Sequence, residues 1–133
     1  MIAVSSPTHL HLLEFIDRKA LPAELSRLRS AAPGGIGVGG AAPSDQAAAE
    51  LEAYFASRSA HFTVPLALAA SPFTRAVWQA LREIPVGETR SYSDIARQIG
   101  RPTATRAVAR ANGANQIALM IPCHRVIGAD GSL

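Results

Sequence analysis

One cysteine in 133 residues, Cys123, excludes an intrachain disulfide and argues against a thiolate-rich zinc site. Lysine is equally scarce, Lys19 standing alone beside twelve arginines. No stretch approaches the roughly 18 uninterrupted apolar residues of a membrane-spanning helix, and no basic segment leads into an apolar one at the N-terminus. These absences predict a soluble intracellular protein in a reducing compartment, with no metal, cofactor or membrane partner. What is present suits globular folding. Hydrophobic residues make up 48% of the chain, enough for one modest domain or two small subdomains sharing a core.

The net charge of +3 is unevenly spread. Residues 1–71 carry five basic and six acidic side chains, whereas residues 72–133 carry eight and four, all eight being arginine. Guanidinium groups suit bidentate contacts to phosphate, so the basic half is a candidate nucleic-acid face; a solvated surface is the competing reading. The lone cysteine lies in this half, at the end of Ile117-Ala118-Leu119-Met120-Ile121-Pro122-Cys123-His124-Arg125-Val126. A thiol is a useful nucleophile as thiolate, and a neighbouring imidazole and guanidinium can accept its proton or lower its pKa. A small buried hydrophobe is the alternative.

Hydrophobic patterning predicts a buried strand over 10–16 with an edge partner at 1–4, a helix over 21–29, a flexible Gly/Ala/Pro loop over 31–43, and a helix capped by Ser44 running to Ala56. An extended segment at 61–66 and a linker at 67–71 follow. This half, residues 1–70, shows no catalytic constellation and reads as a support domain. The second half, 71–133, opens with Ser71 as N-cap and Pro72 at the first helical position, with Phe73, Val77, Trp78 and Leu81 along one face. Ser91 opens a further helix ending at Gly100, and Pro102 leads into another over 103–112, with Ala104, Ala107, Val108 and Ala111 inward. The pair has a helix-turn-helix pattern, for which an ordinary αα-hairpin is the alternative. Thr105, Arg106, Ala109 and Arg110 would face outward, and few of these residue types discriminate base edges in the major groove. Residues 126–133 read as the first half of a hairpin around Asp130-Gly131, cut off inside its second strand, as in a fragment of a longer polypeptide.

Pro122-Cys123-His124-Arg125-Val126, Asn115 and the helix pair together resemble the O6-alkylguanine-DNA alkyltransferases, also called methylated-DNA–protein-cysteine methyltransferases. The resemblance extends through Phe73-Thr74-Arg75, Val77-Trp78, Ile84-Pro85-Val86-Gly87-Glu88-Thr89, Ser91-Tyr92, Thr105-Arg106-Ala107-Val108 and Asn112-Gly113-Ala114-Asn115. Residues 10–66 are more loosely similar to the family's variable N-terminal domain, in particular to versions fused to bacterial Ada-type regulators.

The resemblance implies an α+β protein: a small N-terminal α/β, RNase H-like domain and a C-terminal helical winged helix-turn-helix domain, truncated within the wing. It implies a monomeric, cytoplasmic bacterial protein whose partner is double-stranded DNA containing O6-alkylguanine. The alkyl group would pass once and irreversibly to Cys123, O4-alkylthymine being a second candidate substrate. His124 would act as base through a water, and Asn115 would orient the thiol. Arg106 would fill the stack after base flipping while Tyr92 presses on the adjacent phosphate, and Thr105, Ala109 and Arg110 would lie against the minor groove. Val126, Arg125 and Met120 would line the pocket, with carbonyls around Cys123 reading the exocyclic amine. The family's Tyr- and Gly-rich substrate loop and its histidine-orienting glutamate are not in this sequence, nor are the N-terminal cysteines that hold zinc in some relatives. A non-enzymatic alkylation-damage sensor and a winged-helix DNA-binding module are the alternative functions.

Overall fold

The run Ile2–Ser5 (β1) pairs antiparallel with Leu10–Glu14 (β2), placing Ala3 opposite Leu13 and Val4 opposite Leu12, with an irregularity between Val4 and Ser5. This is a computed structural model and describes residues 1–132. Leu10, Leu12 and Leu13 are all buried, and since Leu12 and Leu13 point to opposite sides of the strand, both of its faces are covered. The far edge of β2 is capped by the 65–67 segment, with Leu10 N–H donating to the Pro65 carbonyl at 2.8 Å and Ala67 N–H to the Leu10 carbonyl at 2.8 Å. The expected extended segment is therefore held by a single parallel bridge, Leu10 to Leu66.

Two helices complete this unit, Leu21–Ala31 (α1) and Ala42–Phe55 (α2), and α2 packs on β1 and β2. The structure corrects the expected Ser44 cap. The N-cap is Ala41, and a proline in the first turn, Pro43, presets the helical φ; Ser44 lies inside the helix and shares a 2.6 Å hydrogen bond with Ser5. The Glu50 carboxylate then ties α2 to the following segment, accepting from Thr63 N–H at 2.9 Å, Thr63 O–H at 2.6 Å and Gln46 Nε2 at 3.1 Å. Burial pushes its pKa up, but these hydrogen bonds outweigh it and hold the pKa below the ordinary value.

In the second unit Ser71 caps Pro72–Arg82 (α3), its Oγ accepting from Thr74 N–H at 3.2 Å, and Val77, Trp78, Ala80 and Leu81 are buried. Arg90–Ser91 (β3) leads directly into Tyr92–Gln98 (α4), which is held by a capping box: Asp94 N–H donates to Ser91 Oγ, and Ser91 N–H to Asp94 Oδ2. Gly100, at φ +73°, takes the left-handed conformation that ends the helix. Thr105–Gly113 (α5) begins two residues later than the sequence predicts, because Ala104 N–H closes a turn onto the Arg101 carbonyl and Pro102 sits within that turn. Helices α3, α4 and α5 pack on one another around Ile95, Ala96, Val108 and Ala111.

Val126–Ile127 (β4) pairs in parallel with β3, with Val126 opposite Arg90 and Ile127 opposite Ser91. The expected hairpin also begins to close, Gly128 N–H donating to the Ser132 carbonyl. The Asp130-Gly131 turn does form, with Gly131 N–H on the Gly128 carbonyl at 2.9 Å, but the return position, Leu133, lies outside the described residues. The chain divides into two compact units, Met1–Ala67 and Leu68–Leu133. No helix of the described residues is long and apolar enough to cross a membrane.

Candidate active site around Cys123

Helix α5 ends at Gly113, and the chain folds back through Asn115 into a run of tight turns that delivers Cys123. Asn115 is 2% exposed, and both ends of its amide are used: Nδ2 donates to the Ile121 carbonyl at 2.8 Å, and Oδ1 accepts from Ile117 N–H at 2.9 Å. The bracing has a physical reason. Within the braced loop Met120 N–H reaches the Ala118 carbonyl at 2.8 Å across Leu119, whose φ of +67° costs a non-glycine residue about 1 kcal/mol or more. A second three-residue turn follows, Cys123 N–H donating to the Ile121 carbonyl at 2.8 Å across Pro122, whose ring presets the required φ.

Cys123, His124 and Arg125 then form a single 3-10 turn. Its carbonyl end is fixed twice, since the Cys123 carbonyl accepts from Val126 N–H and from Asn112 Nδ2, the latter at 3.4 Å. Arg125 secures the turn from the other side by donating Nη1 to the Ile84 carbonyl at 2.7 Å, just beyond α3. Trp78 completes the frame, its indole N–H donating to the Ala111 carbonyl at 2.8 Å. Cys123 is half-buried and is a free thiol. His124 is exposed. Partial desolvation of the ring, and then the Arg125 guanidinium, lower its pKa from 6.5, so the imidazole stays neutral and able to accept a proton to lower pH.

The sequence-predicted residues divide into two groups. Asn115, Cys123, His124, Arg125 and Val126 share the turn or brace it, while Met120 and Val126 have buried side chains, 4% and 1% exposed. Tyr92, Thr105, Arg106, Ala109 and Arg110 lie on the helix pair. Tyr92 opens α4 directly after Ser91, which pairs with Ile127, so the β3–β4 ladder links its position to the cysteine segment. On α5, Arg106 and Arg110 are exposed one turn apart, with Thr105 and Ala109 half-buried beside them. That face combines two guanidinium groups with small side chains, which lets a phosphate backbone come close. Sequence reasoning did not assign roles to Asn112, Trp78 or the Ile84 carbonyl. Among the described residues no group of three or more His, Cys, Asp or Glu could hold a metal.

Residues 72–133 match the family model for the DNA-binding domain of 6-O-methylguanine DNA methyltransferase. The chain is 40% identical to a structure of Mycobacterium tuberculosis OGT in complex with DNA, covering 98% of this chain and 73% of that one with a TM-score of 0.77. It belongs to the O6-methylguanine-DNA methyltransferase family. A structure of the M. tuberculosis O6-methylguanine methyltransferase is 41% identical, with a TM-score of 0.79 over 98% of this chain and 79% of that one. The methylated-DNA–protein-cysteine methyltransferase of Methanosarcina acetivorans is 54% identical over 88 residues, which are 66% of this chain and 56% of that protein. The chain thus spans about half the length of this relative. These likenesses place it among mixed α/β proteins of the alkyltransferase fold.

Proposed function

We propose that the chain repairs DNA by direct reversal, accepting an alkyl group from O6-alkylguanine onto Cys123. The observation that carries this reading is the construction of the cysteine turn: a half-buried thiol beside a histidine of lowered pKa, braced by Asn115, Asn112 and Arg125, in a chain of this family. In the reaction, His124 takes the thiol proton through a water, and the thiolate sulfur attacks the alkyl carbon. A carbon–sulfur bond forms as the carbon–O6 bond breaks. Its electron pair stays on guanine, which takes up a proton, and the cysteine is left as a thioether. Nothing regenerates the thiol in this scheme, so each chain acts once.

Residues 71–133 serve as the DNA-binding, winged helix-turn-helix part, and residues 1–70 as an RNase H-like support. The partner is duplex DNA containing O6-alkylguanine, met by a cytoplasmic monomer. Arg106 enters the stack, Tyr92 presses on the neighbouring phosphate, and Thr105, Ala109 and Arg110 lie against the minor groove. The base sits by Arg125, Val126 and Met120. Unstacking a base costs a few kcal/mol, and the Arg106 guanidinium offsets part of that. Arg106→Ala is therefore expected to slow transfer from duplex DNA about a hundredfold while leaving transfer from free O6-methylguanine base within about twofold. Single-turnover rates on both substrates check this, and equal losses on the two would remove the flipping role.

A further inference from the structure

We infer that Asn112 is a positioning residue for Cys123, tying the nucleophile's peptide to the helix that carries Arg106; this rests on the repair reading above. Asn112 lies in the last turn of α5 and is 9% exposed. Its Nδ2 donates to the Cys123 carbonyl, which also closes its own turn by accepting from Val126 N–H. The peptide following the cysteine is thereby held from two elements, α5 and the start of β4, and with it the direction of the Cα–Cβ bond that aims the sulfur. Asn115 does not do this, since its two hydrogen bonds end at Ile117 and Ile121.

The other end of the Asn112 amide argues that the tether is not there for stability. Its Oδ1 is buried and has no hydrogen-bond partner among the described residues, an arrangement that works against folding. A leucine of similar shape would remove the orphaned acceptor together with the donor, so a purely structural site would lose nothing by it. What the amide supplies is a directed donor to one carbonyl. Arg106 and Asn112 are six residues apart, about 9 Å along one rigid helix, so the element that reaches the DNA also aligns the sulfur.

The test is single-turnover methyl transfer from a duplex containing O6-methylguanine, measured across DNA concentrations for the unsubstituted chain, Asn112→Leu and Asn112→Asp. The first variant removes both polar ends, and the second keeps the shape while removing the donor. Both are expected to lower the saturating rate about tenfold or more, with the half-saturating DNA concentration within about twofold of the original. Asn112→Leu is expected to unfold at no lower temperature than the unsubstituted chain. An unchanged saturating rate in either variant would overturn the inference, as would a rate loss in Asn112→Leu that tracks a lowered unfolding temperature and is absent from Asn112→Asp. A raised half-saturating concentration with the rate retained would overturn it too, because that is the signature of base binding. No transfer by the unsubstituted chain would defeat the repair reading first and this inference with it.

Discussion

The two units bury polar groups in opposite ways. In Met1–Ala67 the interior holds ionisable side chains: Glu14 and Glu24 are each 1% exposed and share Arg18, whose Nε lies 2.6 Å from Glu14 and 3.3 Å from Glu24. Burial raises the Glu14 pKa, Arg18 lowers it and Glu24 raises it again, leaving it at about 7. In the second unit the buried polar groups around the cysteine turn are neutral: the amides of Asn112 and Asn115 and the indole of Trp78, each donating to a backbone carbonyl. Neutral braces do not titrate. A change of pH can therefore loosen the first unit without titrating these braces, and the lowered pKa of His124 offers one route by which pH reaches the proposed chemistry.

The largest expected effect lies in the neutral frame. Asn115→Ala leaves the Ile121 carbonyl and the Ile117 N–H buried without their partner, and loses about 2–4 kcal/mol by denaturant unfolding. If this loss varies with pH between 5 and 8, the neutral-frame account is wrong.

Glu14 supplies the opposite case. Its folded pKa lies above that of the free carboxyl, so the folded chain binds the proton more tightly than the unfolded one. The stability this contributes is full below about pH 4.5 and falls as pH rises toward 7. Denaturant midpoints of the unsubstituted chain should decline over that window, and Glu14→Gln, which cannot ionise, should flatten the decline. A slope that survives in the variant would place the titration elsewhere.

The smallest effect is a shift in a pH profile. The neutral imidazole is the base form, so transfer should rise with pH through the His124 pKa and level off above it, with the acid limb below 6.5. Because the Arg125 charge contributes to that lowering, Arg125→Ala should move the limb upward, whatever it does to the plateau. A limb that stays in place would show that desolvation alone sets the value.

Legibility in the sequence followed the range of the interactions. Ser71-Pro72, Ser91 and Gly100 act within one turn of where they stand, and helices α3 and α4 could be read from them. Ser44 misled because it has the right chemistry for a cap, whereas Ala41 and Pro43 open the helix and Ser44 turns to Ser5, 39 residues away. The Asp130-Gly131 turn was visible, but the parallel partner of β4 lies 36 residues upstream, and no local pattern marks a two-residue ladder. At the candidate site, the motif singled out Cys123, His124 and Asn115, which the structure brings into one turn and its brace. Asn112 stands in the Asn112-Gly113-Ala114-Asn115 run, but its bond to Cys123 crosses 11 residues and depends on how α5 packs, so no local pattern marks its role. Arg125 read as a pocket residue, and its 2.7 Å bond to the Ile84 carbonyl, 41 residues away, adds a bracing role that no local pattern shows.

In the proposed reaction Cys123 is consumed. This is tested most directly by incubating the chain with excess duplex containing O6-methylguanine and measuring the intact mass, then the masses of its proteolytic peptides. A gain of one methyl group per chain is expected, carried on the peptide containing Cys123 and absent from Cys123→Ala. Methyl on another residue, more than one methyl per chain, or guanine restored while the protein mass stays unchanged would contradict it.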